Sequence, residues 1–250
     1  NIKQLGLGFL NYHDARGVFP GATLGTHKWP CGTKALGPLV MILPFIEETA
    51  RYDKFDLTQN FNDTVNAAAA GGTMPPAAFL CPSYGGRRSG NSSAYCSGPS
   101  AFTTAVTCYL GVRGTANDYV AAKRGVFGMQ SASGVTQAAT TKIKDILDGT
   151  SKTFMFGEFR PDSQVAVGVS TNPFPDSRWS PWSLGHVLEG SGSTKTMMKS
   201  PNQIAGFTDI RDWVNHSFSS QHNGGLHMVR ADASAGFVND NIDITIWRNL

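Results

Sequence analysis

Asn1-Ile-Lys-Gln-Leu-Gly-Leu-Gly-Phe-Leu-Asn-Tyr-His-Asp-Ala-Arg-Gly17 opens the chain, and its reading decides the fold. Ile2, Leu5, Phe9 and Tyr12 recur at helical spacing and form one apolar stripe. Gly17 is the residue type that closes a helix in the left-handed region, so a helix is expected over 1–17. A helix with a single apolar stripe must bury it against another layer. The pattern starts at Asn1 with no initiator Met and no capping residues ahead of it. A cut or processed end is therefore expected, with a further segment upstream.

The far end supplies a covering layer. Leu226 to Ala231 alternates apolar residues and is followed by Ser234 to Val238, which reads as a hairpin. Asp240 or Asn241 is expected to cap a last helix from Ile242 to Asn249. Between the ends, Pro38 is placed to start a helix running through Leu39, Leu43 and Ile46 to about Tyr52, bent at Pro44. An Ala-rich helix is expected from Asp63 to Ala70, and a brief strand from Ala78 to Pro82. Loop dominates 83–133, with Tyr109 to Val112 and Tyr119-Val120 as short edge strands. Lys142 to Leu147 reads as a helical turn closed by Asp148-Gly149, and Thr153 to Phe156 as a strand ended by Glu158. Residues 160–212 form a loop-rich insertion in which Trp179 and Trp182, with Trp213 just beyond, would build small local cores.

At 250 residues the chain is near the upper limit for one hydrophobic core, and a single domain over 1–250 is expected. Only 16% of its residues are charged, against about a quarter in typical soluble domains. With 28 Gly and 13 Pro, this composition indicates long ordered loops and an extracellular or cell-surface setting. The net charge of +3 and the lack of any Lys/Arg run beyond Arg87-Arg88 argue against nucleic acid as a partner. Leu36 to Ile46, the longest apolar stretch, is far short of the ~20 residues of a membrane helix and contains Pro38 and Pro44. Membrane attachment would require an upstream helix. Cys31, Cys81, Cys96 and Cys108 lack paired zinc-site spacing and are expected to form disulfides. All three connectivities of four cysteines stay open, and Cys81 with Cys96 would close a short loop.

The ordered set Asn1-Ile-Lys-Gln-Leu-Gly6, Asn11-Tyr-His-Asp14, Phe19-Pro-Gly21, Leu43-Pro-Phe-Ile-Glu47, Phe79-Leu-Cys-Pro-Ser83, Ile146-Leu-Asp-Gly-Thr-Ser151 with Gly157-Glu158, and Phe218-Ser-Ser-Gln-His222 resembles the DUF1559 family. Its members are prepilin-like proteins abundant in planctomycete-type bacteria, and the matches run along nearly the whole chain in family order. The resemblance implies an α+β, pilin-like fold: an N-terminal helix, the continuation of a longer pilin-type helix, packed on an antiparallel sheet with large loops. It also implies a non-enzymatic structural subunit of an extracellular pilus-like filament, tube or pseudopilus. Such a subunit would form homo-oligomers or homopolymers, with other pilin-like subunits as partners, through the helix that carries Ile2, Leu5, Phe9 and Tyr12. The family's C-terminal signature is His, nine residues, then Asp-Gly; His222 and Asp232 keep the spacing, while Ala233 replaces the glycine. If that position takes positive φ, Ala costs about 1 kcal/mol.

His222 and Asp232 flank the hairpin and would pin the preceding loop to the strand exit by a hydrogen bond. The Asp148-Gly149 turn is the other structural motif. No nucleophile stands out beside a base, so no catalytic residue is nominated, and a hydrolase using His222 and Asp232 is the weaker competitor. His216, His222 and His227 match no zinc-ligand spacing. Asp232, Asp240 and Asp243, with Asn239 and Asn241, offer the oxygen ligands calcium prefers. Calcium is the candidate cofactor, in line with the C-terminal loop calcium of pseudopilins that the family resembles, against simple helix capping. Glu47, Glu48 and Glu158 are expected in ion pairs with Arg51 or Arg160. The alternative function is a surface module that recognises glycan or protein through the Trp-rich region, with Trp182 as a stacking residue.

Overall fold

Helix α1 spans Ile2–Arg16 and ends at Gly17, whose φ of 73° lets its N–H turn back to His13 O at 2.6 Å. A computed structural model of the protein describes residues 1–27, 35–61, 63–70, 74–86, 89–91, 103–114, 125–132, 135–161, 182–184, 194–203 and 218–250. The apolar stripe of α1 faces inward: Leu5 and Phe9 are fully buried, and Ile2 and Tyr12 pack partly buried against the same core. On the other side Leu7 is 47% exposed. Gly6 permits the close approach of helix to sheet, since a Cβ there would sit 2.7 Å from Val229 Cγ1 and 3.2 Å from Ala233 Cα.

The remaining helices are short: α2 (Pro38–Met41), α3 (Thr49–Tyr52), α4 (Thr64–Ala69) and α5 (Ile244–Arg248). The strands, in chain order, are β1 (Thr26–His27), β2 (Ser89–Asn91), β3 (Thr103–Ala105), β4 (Tyr109–Gly114), β5 (Met129–Ala132), β6 (Val135–Ala138), β7 (Phe154–Glu158), β8 (Thr194–Thr196), β9 (Gly225–Arg230) and β10 (Ala235–Asn239). The main sheet has the order β10-β9-β7-β4-β8, and all its pairs are antiparallel except β4 with β8. Small sheets β1-β6-β5 and β2-β3 stand beside it. The architecture is α+β, with the N-terminal helix on a mostly antiparallel sheet.

Both faces of the main sheet are covered. On one, Phe9 of α1 packs against Phe156 of β7 and Phe127, with ring centroids 5.0 and 5.1 Å away. On the other, Trp247 of α5 meets Phe154 and Phe218 at 5.9 and 6.3 Å, and its Nε1–H donates to Lys199 O at 2.9 Å. Strand periodicity allots residues to the two faces. Leu226 and Met228 of β9 go to the α5 side, whereas Val229 and Ala231 go to the α1 side. The β7–β9 register shifts between Phe154 and Phe156, so Met155 is an inserted residue that lets both Met155 and Phe156 join the α1-side core.

Several expectations change. The helix from Pro38 to Tyr52 is broken into α2, a 3₁₀ turn at Leu43–Phe45 and α3, because Pro44 cannot continue the ladder and Glu47 sits at φ 66°. Arg51 pairs there with Glu48 at 3.2 Å. Ala78 to Pro82 is no strand; Ala77–Phe79 is a 3₁₀ turn. Tyr109 to Val112 belongs to β4, an inner strand buried along its length rather than an edge. The last helix is capped by Asp243, which accepts from Thr245 and Ile246 N–H at 2.8 and 3.1 Å, not by Asp240 or Asn241. Trp182 is fully buried between Phe55 and Phe79, donating to Ala70 O at 3.0 Å. It therefore has no face to offer a glycan, and Trp179, Trp213 and Tyr119-Val120 lie outside the described residues.

Candidate functional site

β7 runs antiparallel to both neighbours, so its C-terminal end meets the N-terminal ends of β4 and β9. Glu158 occupies that end, directly opposite Tyr109 in register. It lies two residues beyond Phe156 and so on the same, α1-covered face. Glu158 is only 4% exposed. A buried carboxylate costs several kcal/mol unless its oxygens are matched. Here Oε2 accepts the His227 backbone N–H at 2.7 Å and lies 3.3 Å from His227 Nδ1. Oε1 lies 3.2 Å from His222 Nε2 and 3.6 Å from Cys81 Sγ. Cys81 Sγ and His222 Nε2 are themselves 3.8 Å apart.

Backbone ties hold each loop in place. Cys81 follows the 3₁₀ turn whose Phe79 carbonyl accepts the Cys108 N–H at 2.8 Å, and Asn1 Nδ2 donates to Ala77 O and Leu80 O. Downstream, Gly85 N–H donates to Gln221 Oε1 at 3.0 Å, joining the Cys81 loop to the His222 loop. Ser219 N–H donates to Glu158 O, and Arg160 N–H to Ser219 Oγ. Ser220 Oγ donates to Gly225 O at 2.7 Å and accepts the His222 N–H at 3.0 Å, an ST-type turn that aims the ring at Glu158. The His222 and His227 rings meet edge to face at 5.0 Å.

Burial pushes the Cys81 thiol up; a Ser83 backbone hydrogen bond works against this and the Glu158 charge adds to it. The Tyr109 hydroxyl, in hydrogen-bond contact with Cys81, is raised too, by burial first and then by Cys81 and Glu158. A cysteine nucleophile needs the opposite, a lowered pKa. A relay also needs the carboxylate on the ring nitrogen remote from the nucleophile, whereas Glu158 and Cys81 share Nε2 of His222. The cluster is therefore poorly built for nucleophilic chemistry. It is instead a convergence of sulfur, imidazole nitrogen and carboxylate oxygen, with all three atoms within 4.8 Å of one another.

The expected His222–Asp232 pair does not form. The two residues stand at opposite ends of β9, roughly 20 Å of strand apart, and His222 turns to Glu158 instead. Asp232 sits in the hairpin turn and accepts the Ser234 N–H at 2.9 Å. Burial alone would raise its carboxyl, but Ser234 and Arg230 outweigh that and hold it below the ordinary value. Ala233 has φ 62°, so the position where the family signature carries Gly is indeed left-handed. Asp240 accepts from Asn202 Nδ2 at 2.7 Å and Asp243 is spent on its cap. Among the described residues, Asp232, Asp240 and Asp243 are not brought together as a calcium ligand set. Asp148-Gly149 forms the expected turn, with Gly149 at φ 92°, away from the cluster. Cys81 stands as a thiol and Cys108 is buried; Cys31, Cys96 and His216 lie outside the described residues.

Cys81, Glu158, His222 and His227 stand out in the sequence only in separate roles. The signal that joins them is that Phe79-Leu-Cys-Pro-Ser83, Gly157-Glu158 and Phe218-Ser-Ser-Gln-His222 each contribute one ligand-type side chain to the same point. A family model described as a protein of unknown function (DUF1559) matches residues 1–245. No curated protein and no solved structure matches the chain.

Proposed function

The chain belongs to the DUF1559 family, and from that premise we propose that it is a non-enzymatic, exported structural subunit of a pilus-like filament, tube or pseudopilus. The observation that carries the reading is α1. Its Leu5 and Phe9 side is sealed onto the main sheet while Leu7, between them on the opposite side, stays 47% exposed. A rigid body of this kind, with a helix ridge on its surface, suits side-by-side stacking of identical copies. Low charge, at 16% of residues, reduces the desolvation cost of such contacts. Interfaces of about 1,000 Å² or more would be needed to hold neighbours together. The raised thiol of Cys81 and the shared nitrogen of His222 further favour a structural over a catalytic role.

Sedimentation of the purified protein tests this. Large, ordered assemblies that dissociate in Leu7→Glu, with unchanged circular dichroism, are the expected result. Monomers at every concentration and salt condition would overturn it.

A further inference from the structure

We infer that Cys81, Glu158 and His222 form a zinc-binding site that staples three separate segments of the chain at one end of the main sheet. The inference is independent of the assembly reading. Zinc takes sulfur at about 2.3 Å, imidazole nitrogen at about 2.0–2.1 Å and carboxylate oxygen at about 2.0–2.2 Å in tetrahedral geometry. Those bond lengths put the ligand atoms about 3.6 Å (S to N), about 3.6 Å (S to O) and about 3.4 Å (N to O) from one another. The observed separations are 3.8, 3.6 and 3.2 Å. The triangle already has the size of one face of a zinc tetrahedron.

The surroundings match a metal site as well. Glu158 Oε2 is occupied by the His227 N–H and Nδ1, which fixes the carboxylate plane and leaves Oε1 turned to the other two ligands. Such outer contacts orient metal-bound carboxylates. The His222 side chain is 28% exposed, so the cluster lies near the surface on the imidazole side. Mixed sulfur, nitrogen and oxygen donors suit zinc better than calcium or magnesium. Binding would release the thiol proton of Cys81 and require the neutral His222 ring to carry its proton on Nδ1. Sγ and Nε2 converge on the same Oε1 and also face each other at 3.8 Å, so all three donor atoms surround one point.

Cobalt(II) titration of the reduced protein, followed by zinc competition, tests the site. A single equivalent should give tetrahedral ligand-field bands and a thiolate charge-transfer band, both displaced by zinc, and zinc should raise the melting temperature. Cys81→Ser should abolish the charge-transfer band, and His222→Gln should weaken zinc by more than about 100-fold. His227→Ala, which disturbs only the carboxylate's orientation, should cost roughly 10–100-fold. The double variant Cys31→Ser, Cys96→Ser should keep the spectrum. A wild-type protein without thiolate–cobalt absorption, or a spectrum that survives Cys81→Ser with circular dichroism unchanged, would overturn the site.

Discussion

Replacing Phe9 with Ala probes how much of the fold rests on the docking of α1. The side chain is fully buried, and its ring meets Phe127 at 5.1 Å and Phe156 at 5.0 Å. Truncating a buried Phe costs about 3–5 kcal/mol through lost transfer energy and the cavity left behind. Each ring pair adds about 0.5–1.5 kcal/mol that Ala cannot replace. The site cannot collapse easily, because Gly6 and Gly8 already hold the helix in close contact with Val229 and Ile46. The upper half of the range, about 4–5 kcal/mol, is therefore expected. Against a total stability of about 5–15 kcal/mol, this is a third or more of what holds the protein together. Urea denaturation at constant slope would read it as a large drop in midpoint. Leu7→Ala, two residues away on the exposed side of the helix, should stay within about 0.5 kcal/mol. A Phe9→Ala loss below about 1 kcal/mol, or a Leu7→Ala loss as large as that of Phe9→Ala, would show that the helix is not seated on the sheet as described.

Three further outcomes follow from the structure. Burial first, then Arg113, lowers the Lys195 amine to about 7. The unfolded chain thus binds the extra proton between about pH 7 and the ordinary lysine value, so wild-type stability should rise with pH across that window and Lys195→Met should flatten the slope, as measured by denaturation at several pH values. Hydrogen bonds from the Ile246 and then the Thr245 N–H hold the Asp243 carboxyl below its ordinary value. Its capping contribution is complete above the unfolded-state carboxylate pKa and is lost as pH falls through the lower folded value, so an acid-induced release of α5, seen by hydrogen exchange, should be absent in Asp243→Ala, whose α5 is already frayed. Trp182→Ala should cost about 3–5 kcal/mol in thermal or chemical unfolding, the signature of a core residue; an unchanged midpoint together with lost glycan binding would return Trp182 to a recognition role.

What could be read from the sequence was mostly local. The Ile2, Leu5, Phe9, Tyr12 spacing and the closing Gly17 gave α1 its true limits, since a 3.6-residue period and a left-handed cap are properties of adjacent residues. The β9–β10 hairpin was legible for the same reason. Strand order was not. Tyr109-Leu-Gly-Val112 looks the same at an edge as between β7 and β8, and only pairing partners far along the chain decide. Phe79-Leu-Cys81 has strand-like composition, yet the preceding Pro75-Pro76 feeds a 3₁₀ turn at Ala77–Phe79. Met155 could not be foreseen as an inserted residue, because a bulge is a mismatch with a partner strand.

The cluster escaped for a related reason. Its ligands are 77, 64 and 141 positions apart, so no short spacing motif exists to be recognised. His222 and Asp232 bracket one hairpin in sequence, but β9 holds them at opposite ends, while Glu158 is brought beside His222 by antiparallel pairing. Burial of Glu158 follows from its place at the end of a strand covered on both faces.

Immunogold electron microscopy of the native producer, with antibody raised against the β9–β10 hairpin, tests the central claim most directly. Label spaced along fibres or tubes outside the cell is the outcome expected of a building block; label confined to the cell interior on dispersed single molecules would contradict it.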